Sequence, residues 1–251
     1  MSKSIRRTDK TMRSGLRPWS VERCCNHSFI ANALGPSAVV IDLGVNTGEF
    51  ATWMANRFKC VVYGAEPDPD LYGELPRRCD VNVIPCAIGG AAGTAVLRRA
   101  VGKCSTLFEG SFRAESSLEV EVLDFEEFLS RAGLAQCNHI DLVKVDIEGA
   151  ELPMFEDASD ALLQRVGQFT VEFHDFVWPE LSEQVRCVKA RLHSLGFCLV
   201  NFSLDNTDVL FLNRKLLGIG RASEAYLRAI KYANGIRRRV GRFLPAMSAY
   251  L

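Results

Sequence analysis

Two stretches carry side chains of the kind that hold polar ligands and move protons. In VVIDLGVNTG, residues 39–48, Asp42, Gly44, Asn46 and Gly48 fall at every second position directly after an apolar run. In KVDIEGAE, residues 144–151, Lys144, Asp146 and Glu148 do the same, and TVEFH (170–174) adds Thr170, Glu172 and His174. Alternate residues of an extended chain share one face, so each set offers a row of polar groups at a strand end. The first set suits a small polar ligand. Gly44 and Gly48 allow a tight bend and close backbone approach, and the free N–H groups at the start of a following helix attract anionic or strongly polar atoms. The second suits proton transfer. His174 has an unperturbed pKa near neutrality, and Asp146 becomes a candidate base if burial raises its pKa. Asp146, Glu148, Glu172 and His174 would also suit an oxygen-loving divalent ion such as magnesium. Each set has a plainer structural reading: an ordinary strand-to-helix turn for the first, and for the second a Lys144–Asp146 pair, since a buried lysine needs a partner.

Positioning these groups requires a sheet. Val39 to Leu43 is the near-continuous apolar run of a strand covered on both faces, and residues 49–58 place Phe50, Trp53, Met54 and Phe58 at helical spacing. A second apolar run, CVVYGA (60–65), ends on Glu66, twenty-four residues after Asp42. A carboxylate there can accept hydrogen bonds from both hydroxyls of a ribose. The competing use of Glu66 and Asp68 is to cap a helix starting near Asp70. Glycines at 44 and 48 alone lack the GxGxxG spacing of a phosphate-cradling dinucleotide turn. Farther along, strands are predicted at 81–86, 94–99, 118–123, 140–145, 168–173, 198–202 and 209–212. Helices are predicted at 71–78, 125–132, a segment closing at 162–166, 182–195 and 222–233. Asp124 with Glu127 forms a capping arrangement for the second of these, and Gly133 ends it. Such alternation argues for a mostly parallel, doubly covered sheet with an antiparallel pair at the end.

The formal charge of zero hides an asymmetry. Residues 1–36 carry seven Lys/Arg against two Asp/Glu, residues 214–251 nine against one, and residues 37–213 fourteen against twenty-seven. This divides the chain into a basic N-terminal extension (1–36), an acidic α/β domain (37–213) and a basic helical C-terminal extension (214–251). The basic ends suit contact with anionic surfaces, or pairing with the acidic middle. Nine cysteines without a CxxC pair, and no HExxH, fit a reduced, cytoplasmic chain without structural zinc. No apolar run approaches the roughly 20 residues of a membrane span, and no apolar block of a secretory signal follows the basic start.

DLGVNTG resembles the first motif of S-adenosylmethionine (SAM) dependent methyltransferases. With AEPDP, CSTL, LD, KVDIEGAE and VEFH in that order, the chain resembles the FkbM family of these enzymes, KVDIEGAE being the discriminating part. The resemblance implies a Rossmann-like class I methyltransferase fold, SAM as cofactor, and methylation of a hydroxyl on a sugar, natural product or other small metabolite. Carried over by position, Asp42, Gly44, Asn46 and Gly48 hold the methionyl end of SAM, Glu66 the ribose, and Ala87 and Ile88 flank the adenine. Ser105, Thr106, Asp146, Glu148 and His174 face the acceptor, joined by Glu172 and by Lys144 at the catalytic strand. The basic ends suggest a second reading, methylation of a protein or nucleic acid, although no Asn-Pro pair supplies an NPPY-type amine-methylating motif. A third is a non-catalytic SAM-binding protein that docks through its termini.

Overall fold

The computed structural model describes residues 19–99, 105–107, 116–229 and 231; most of both basic extensions and most of the 100–117 loop lie outside them. The described residues open with a hairpin, β1 (Val21–Cys24) and β2 (His27–Ile30), that no apolar periodicity announced. There follow β3 (Val39–Leu43), α1 (Glu49–Phe58), β4 (Val61–Ala65), α2 (Pro69–Glu74) and β5 (Val81–Ile84). Next come β6 (Ala87–Ile88), β7 (Gly93–Arg99), β8 (Ser105–Thr106), β9 (Ser116–Leu123) and α3 (Phe125–Arg131). The remainder is β10 (Leu142–Val145), α4 (Glu151–Asp157), α5 (Asp160–Leu163), β11 (Gln168–Val171), α6 (Ser182–Ser194), β12 (Phe197–Asn201), β13 (Val209–Asn213) and α7 (Arg214–Leu217).

Seven strands form the central sheet in the order β12-β13-β11-β10-β3-β4-β5, and β6, β9, β7 and β8 form a second, smaller sheet. The five strands β11-β10-β3-β4-β5 run parallel, whereas β13 is antiparallel to both its neighbours. This is the Rossmann-like class I arrangement, with the antiparallel pair where the sequence predicts it. Several predicted elements shift: β5 stops at Ile84, β10 starts at Leu142, β11 stops at Val171, and two helices move. The helix expected at 71–78 is Pro69–Glu74, because Asp68 accepts from the Asp70 and Leu71 N–H groups and Pro69 fills the first turn. The helix expected to close at 162–166 ends at Leu163, since Val166 already bridges Ile140. Asp124 caps α3 through the Glu127 N–H at 2.8 Å, as the sequence suggests.

Alternation along the strands divides the central sheet chemically. Ile41, Leu43, Val143, Val145, Phe169 and Val171 point into the larger core with Phe128, Phe155 and Val188. Val40, Val62 and Leu142 point the other way, against Phe50 and Met54 of α1 and Phe29 of the hairpin. On that second face, toward the strand ends, register sets Asp42 beside Lys144 and Lys144 beside Thr170. All three are buried, so the sheet carries a polar row inside the protein. The hairpin covers this row. Gln168 pins its end, accepting from Ile30 N–H at 2.7 Å and donating to Ile30 O at 3.3 Å.

Asp208, fully buried in the turn before β13, accepts from Ser28 N–H (2.9 Å), Ser28 Oγ (2.8 Å) and Arg23 Nε (3.0 Å). At the other end Leu217, Ile219 and Leu227 join Ile30, Cys198 and Leu212 in a third apolar cluster. The packed body therefore extends beyond residues 37–213 on both sides. Asp208→Ala removes a charged acceptor and leaves a buried N–H without a partner. It is expected to cost about 3 kcal/mol in urea unfolding and to accelerate amide exchange in residues 21–30.

Candidate active site

A cavity opens where the parallel strands end. Its wall includes Gly44 and Asn46 from the turn after β3, Ala65 and Glu66 from the end of β4, Ala87 and Ile88 of β6, and Asp146 and Glu148 after β10. Gly44 is irreplaceable in this wall. Its φ is +83°, and a Cβ there would fall 1.8 Å from the Asp146 carbonyl oxygen, so the two turns touch through backbone alone. Asn46 and Glu148 also take positive φ, 52° and 54°, at the corresponding bends. Glu66 joins the second turn to the first: Oε2 accepts from Asn46 N–H at 2.6 Å and Oε1 from Asp68 N–H at 2.9 Å. Burial raises its pKa against the pull of these two donors. Asp68, not Glu66, caps the following helix, and it is paired with Arg99.

Beneath the wall lies Lys144. Its ammonium donates to the Gly44 carbonyl at 2.8 Å and stands 3.0 Å from Asp42 Oδ1 and 3.5 Å from Asp146 Oδ2. Burial alone would lower its pKa, but the two carboxylates raise it above the ordinary lysine range, and the side chain stays charged. The expected Lys144–Asp146 pair is thus one side of a bridge whose shorter side is Asp42. Asp42 is fully buried in that contact, off the cavity wall, with burial raising its pKa and Lys144 opposing the shift. Gly48 is also off the wall. It starts α1 with φ +78°, and a Cβ there would meet Leu75 at 2.9 Å.

Asp146 is part-exposed and faces the cavity. Burial would raise its pKa, but Lys144, His27 and His174 outweigh this and hold it well below the carboxylate range. The expectation of a base created by burial is therefore reversed: Asp146 is a firmly ionised hydrogen-bond acceptor. His174 is likewise not a free base. Its Nδ1 is 2.9 Å from Glu151 Oε1 and its Nε2 3.1 Å from Glu148 Oε2; burial opposes the charge, but these two carboxylates push its pKa up to about 11. Glu151, buried at the start of α4, also accepts from the Ile147 and Gly149 N–H groups at 3.1 Å. The sequence reading gave this last acid of KVDIEGAE no role, although its place two residues after Gly149 marks it as a turn fastener. Glu172 is half-buried beside Asp146. Burial first, and Asp146 second, raise its pKa to about 7. Thr106 is buried and donates its hydroxyl to the Glu148 carbonyl. Ser105 shares its strand, its side chain lying outside the described residues.

One participant came from outside the motifs. His27, fully buried in the hairpin, places Nδ1 3.3 Å from Thr170 Oγ1 and Nε2 3.5 Å from Asp146 Oδ2. The tight turn Cys25–Asn26 aims it, both residues at positive φ, and no pattern in the sequence marked it.

A cleft at the carboxyl edge of a parallel sheet, with a backbone contact at the first turn and a carboxylate at the second strand's tip, lies where ligands bind in open α/β sheets, on a class I methyltransferase fold. The chain belongs to the FkbM methyltransferase family, whose domain profile matches residues 42–199, and it is a SAM-dependent methyltransferase. No curated protein sequence matches it. Among solved structures it is similar to the Methanococcus jannaschii fibrillarin pre-rRNA processing protein (14% identity, 77% of this chain and 70% of that one, TM-score 0.43). It is also similar to Aeropyrum pernix fibrillarin with natively bound SAM (14%, 71% and 66%, TM-score 0.39) and to human methyltransferase-like protein 13 with SAH (13%, 76% and 82%, TM-score 0.41).

The histidine clamp makes a pH prediction. His174 is protonated in the fold up to about 11 against an ordinary 6.5, so its stabilising contribution is full below 6.5 and is lost as pH rises through 11. Its ring resonances are expected to keep imidazolium shifts at pH 8.5 by NMR. His174→Gln is expected to flatten the decline of urea stability above pH 6.5.

Proposed function

We propose that the protein transfers the methyl group of SAM to a hydroxyl of a sugar or other small metabolite. The observation carrying this reading is that one cavity wall holds Glu66 on one side and Asp146 with Glu148 on the other. Glu66 fits the ribose: both its oxygens are fixed by backbone donors, and lone pairs remain for two hydroxyls. Apolar Ala87 and Ile88 suit the flat adenine, and the turn at Gly44 and Asn46 on the same wall suits the amino-acid end. Bound there, SAM supplies a methyl group already activated by its sulfonium.

The chain's own residues orient the acceptor and receive its proton. Asp146 and Glu148 have only lone pairs to offer, which suits an acceptor that brings a hydrogen-bond donor, as a hydroxyl does. Asp146 aligns the hydroxyl with an oxygen lone pair directed at the methyl carbon. As the C–O bond forms and the C–S bond breaks, the attacking oxygen turns positive and its O–H becomes strongly acidic, so even a carboxylate held low can take the proton at that stage. Lys144 and Glu151 touch neither partner. Lys144 fixes Asp146 and the Gly44 turn, and the Glu151–His174 contact fixes Glu148. Cytoplasmic residence is part of this reading, supported by free thiols at all eight cysteines among the described residues. Among those residues no helix is long and apolar enough to cross a membrane.

Methyl-labelled SAM offered with a panel of glycosides, hydroxylated metabolites, amines, RNA and proteins tests the acceptor class by product mass. Label appearing only on nitrogen or macromolecules would refute hydroxyl methylation of a small molecule. Glu66→Gln, leaving one acceptor oxygen, is expected to weaken SAM binding about tenfold or more by calorimetry. Asp146→Asn is expected to keep SAM affinity and lower turnover by roughly 100-fold or more.

A further inference from the structure

We propose that His27, Asp146 and Glu172 form a binding site for one first-row divalent metal ion, of the character of manganese(II), beside the cavity. One ligand atom from each of the three lies within 4.8 Å of the others, a spacing that a single ion with short metal–ligand bonds can span. The independent sign of a ligand is His27. The residue is fully buried and its Nε2 has no hydrogen-bond partner, the nearest carboxylate being Asp146 Oδ2 at a long ion-pair distance of 3.5 Å. A buried ring nitrogen without a partner is costly, and here it is aimed at two carboxyl groups while the other nitrogen is turned to Thr170. The hairpin that carries it is fastened by Asp208 and Gln168, so the ring is held in place rather than folded in by chance.

Charge argues the same way. Four carboxyl groups (Asp42, Asp146, Glu148 and Glu151) pair with Lys144 and His174, and Glu172 stands beside them. A divalent ion offsets this excess. Lys144 does not displace it, because the ammonium is closer to Asp42 and a carboxylate has about four lone-pair sites. Asp146, Glu148 and His174 also lie together, but both nitrogens of His174 already face Glu148 and Glu151. One imidazole with two carboxylates favours a first-row ion over calcium or an all-oxygen magnesium site. His27 lies outside residues 42–199, so the matched domain does not itself supply this ligand.

The test uses manganese(II) alone, with the full chain freed of metal by chelation and no acceptor present, so its result is independent of the hydroxyl-methylation reading. Electron paramagnetic resonance should show one bound ion per chain, with pulsed spectra carrying the modulation of one imidazole nitrogen. His27→Gln should abolish that modulation, and His27→Gln and Glu172→Gln should each weaken binding by about tenfold or more. His193→Gln, on the exposed face of α6, should change neither. If His27→Gln does not fold, the wild-type nitrogen signal and Glu172→Gln decide. Absence of stoichiometric binding, absence of a nitrogen signal, or a nitrogen signal that persists in folded His27→Gln and vanishes in His174→Gln would overturn the proposal.

Discussion

One buried ammonium organises the carboxyl edge of this sheet. Lys144 Nζ reaches Asp42 on the neighbouring strand, Asp146 beyond the end of its own strand, and the carbonyl of Gly44 in the turn between sheet and helix. A lysine so deeply buried keeps its charge only with anionic partners, and each partner fixes a different piece of the wall. Asp42 holds the strand that leads into the first turn, the Gly44 contact holds the turn itself, and Asp146 is left ionised with one side to the cavity. The fit also explains the glycine, since the turns held by this one cation are too close for any side chain at position 44.

A second clamp works in parallel. Glu151 gathers the N–H groups of the 147–149 turn and presses on His174, which in turn holds Glu148. The two clamps share no hydrogen bond, yet both act on the same short segment after β10. Asp146 and Glu148 thus line the cavity with their orientations set from behind, by residues that lie off its wall. The apolar face of the sheet, with Phe128, Phe155 and Phe169, supplies the rigid backing against which this polar side is built.

Much of the fold was legible because it rests on local pattern. Val39–Leu43 reads as a doubly covered strand from its apolar run, α3 from its Asp124 cap, and the final antiparallel pair from strands flanking LDNTD. The cavity wall was legible where a motif lies on one strand-to-helix turn: Gly44, Asn46, Glu66 and Asp146 all reach it. What sequence could not convey depends on distant partners. Asp42 reads like a ligand group, but its register opposite Lys144 turns it inward. His174 reads as a neutral base until two glutamates from the preceding turn and helix are placed against it. His27 sits in a basic stretch without strand alternation, and only pairing with sheet residues more than a hundred positions away brings it to the site.

That distance bears on how the protein is made. The hairpin leaves the ribosome early, but the carboxylate that fastens it, Asp208, is 180 residues downstream of Ser28. Contacts of such long sequence separation form late, after loop closure of the intervening chain. During synthesis the turns around Gly44 and Asp146 can therefore be in place while the polar row remains uncovered, and the seating of the hairpin becomes a closing step of folding. A chain cut short before Asp208 would hold the whole of the cavity wall and still lack the carboxylate that fastens the hairpin at Ser28.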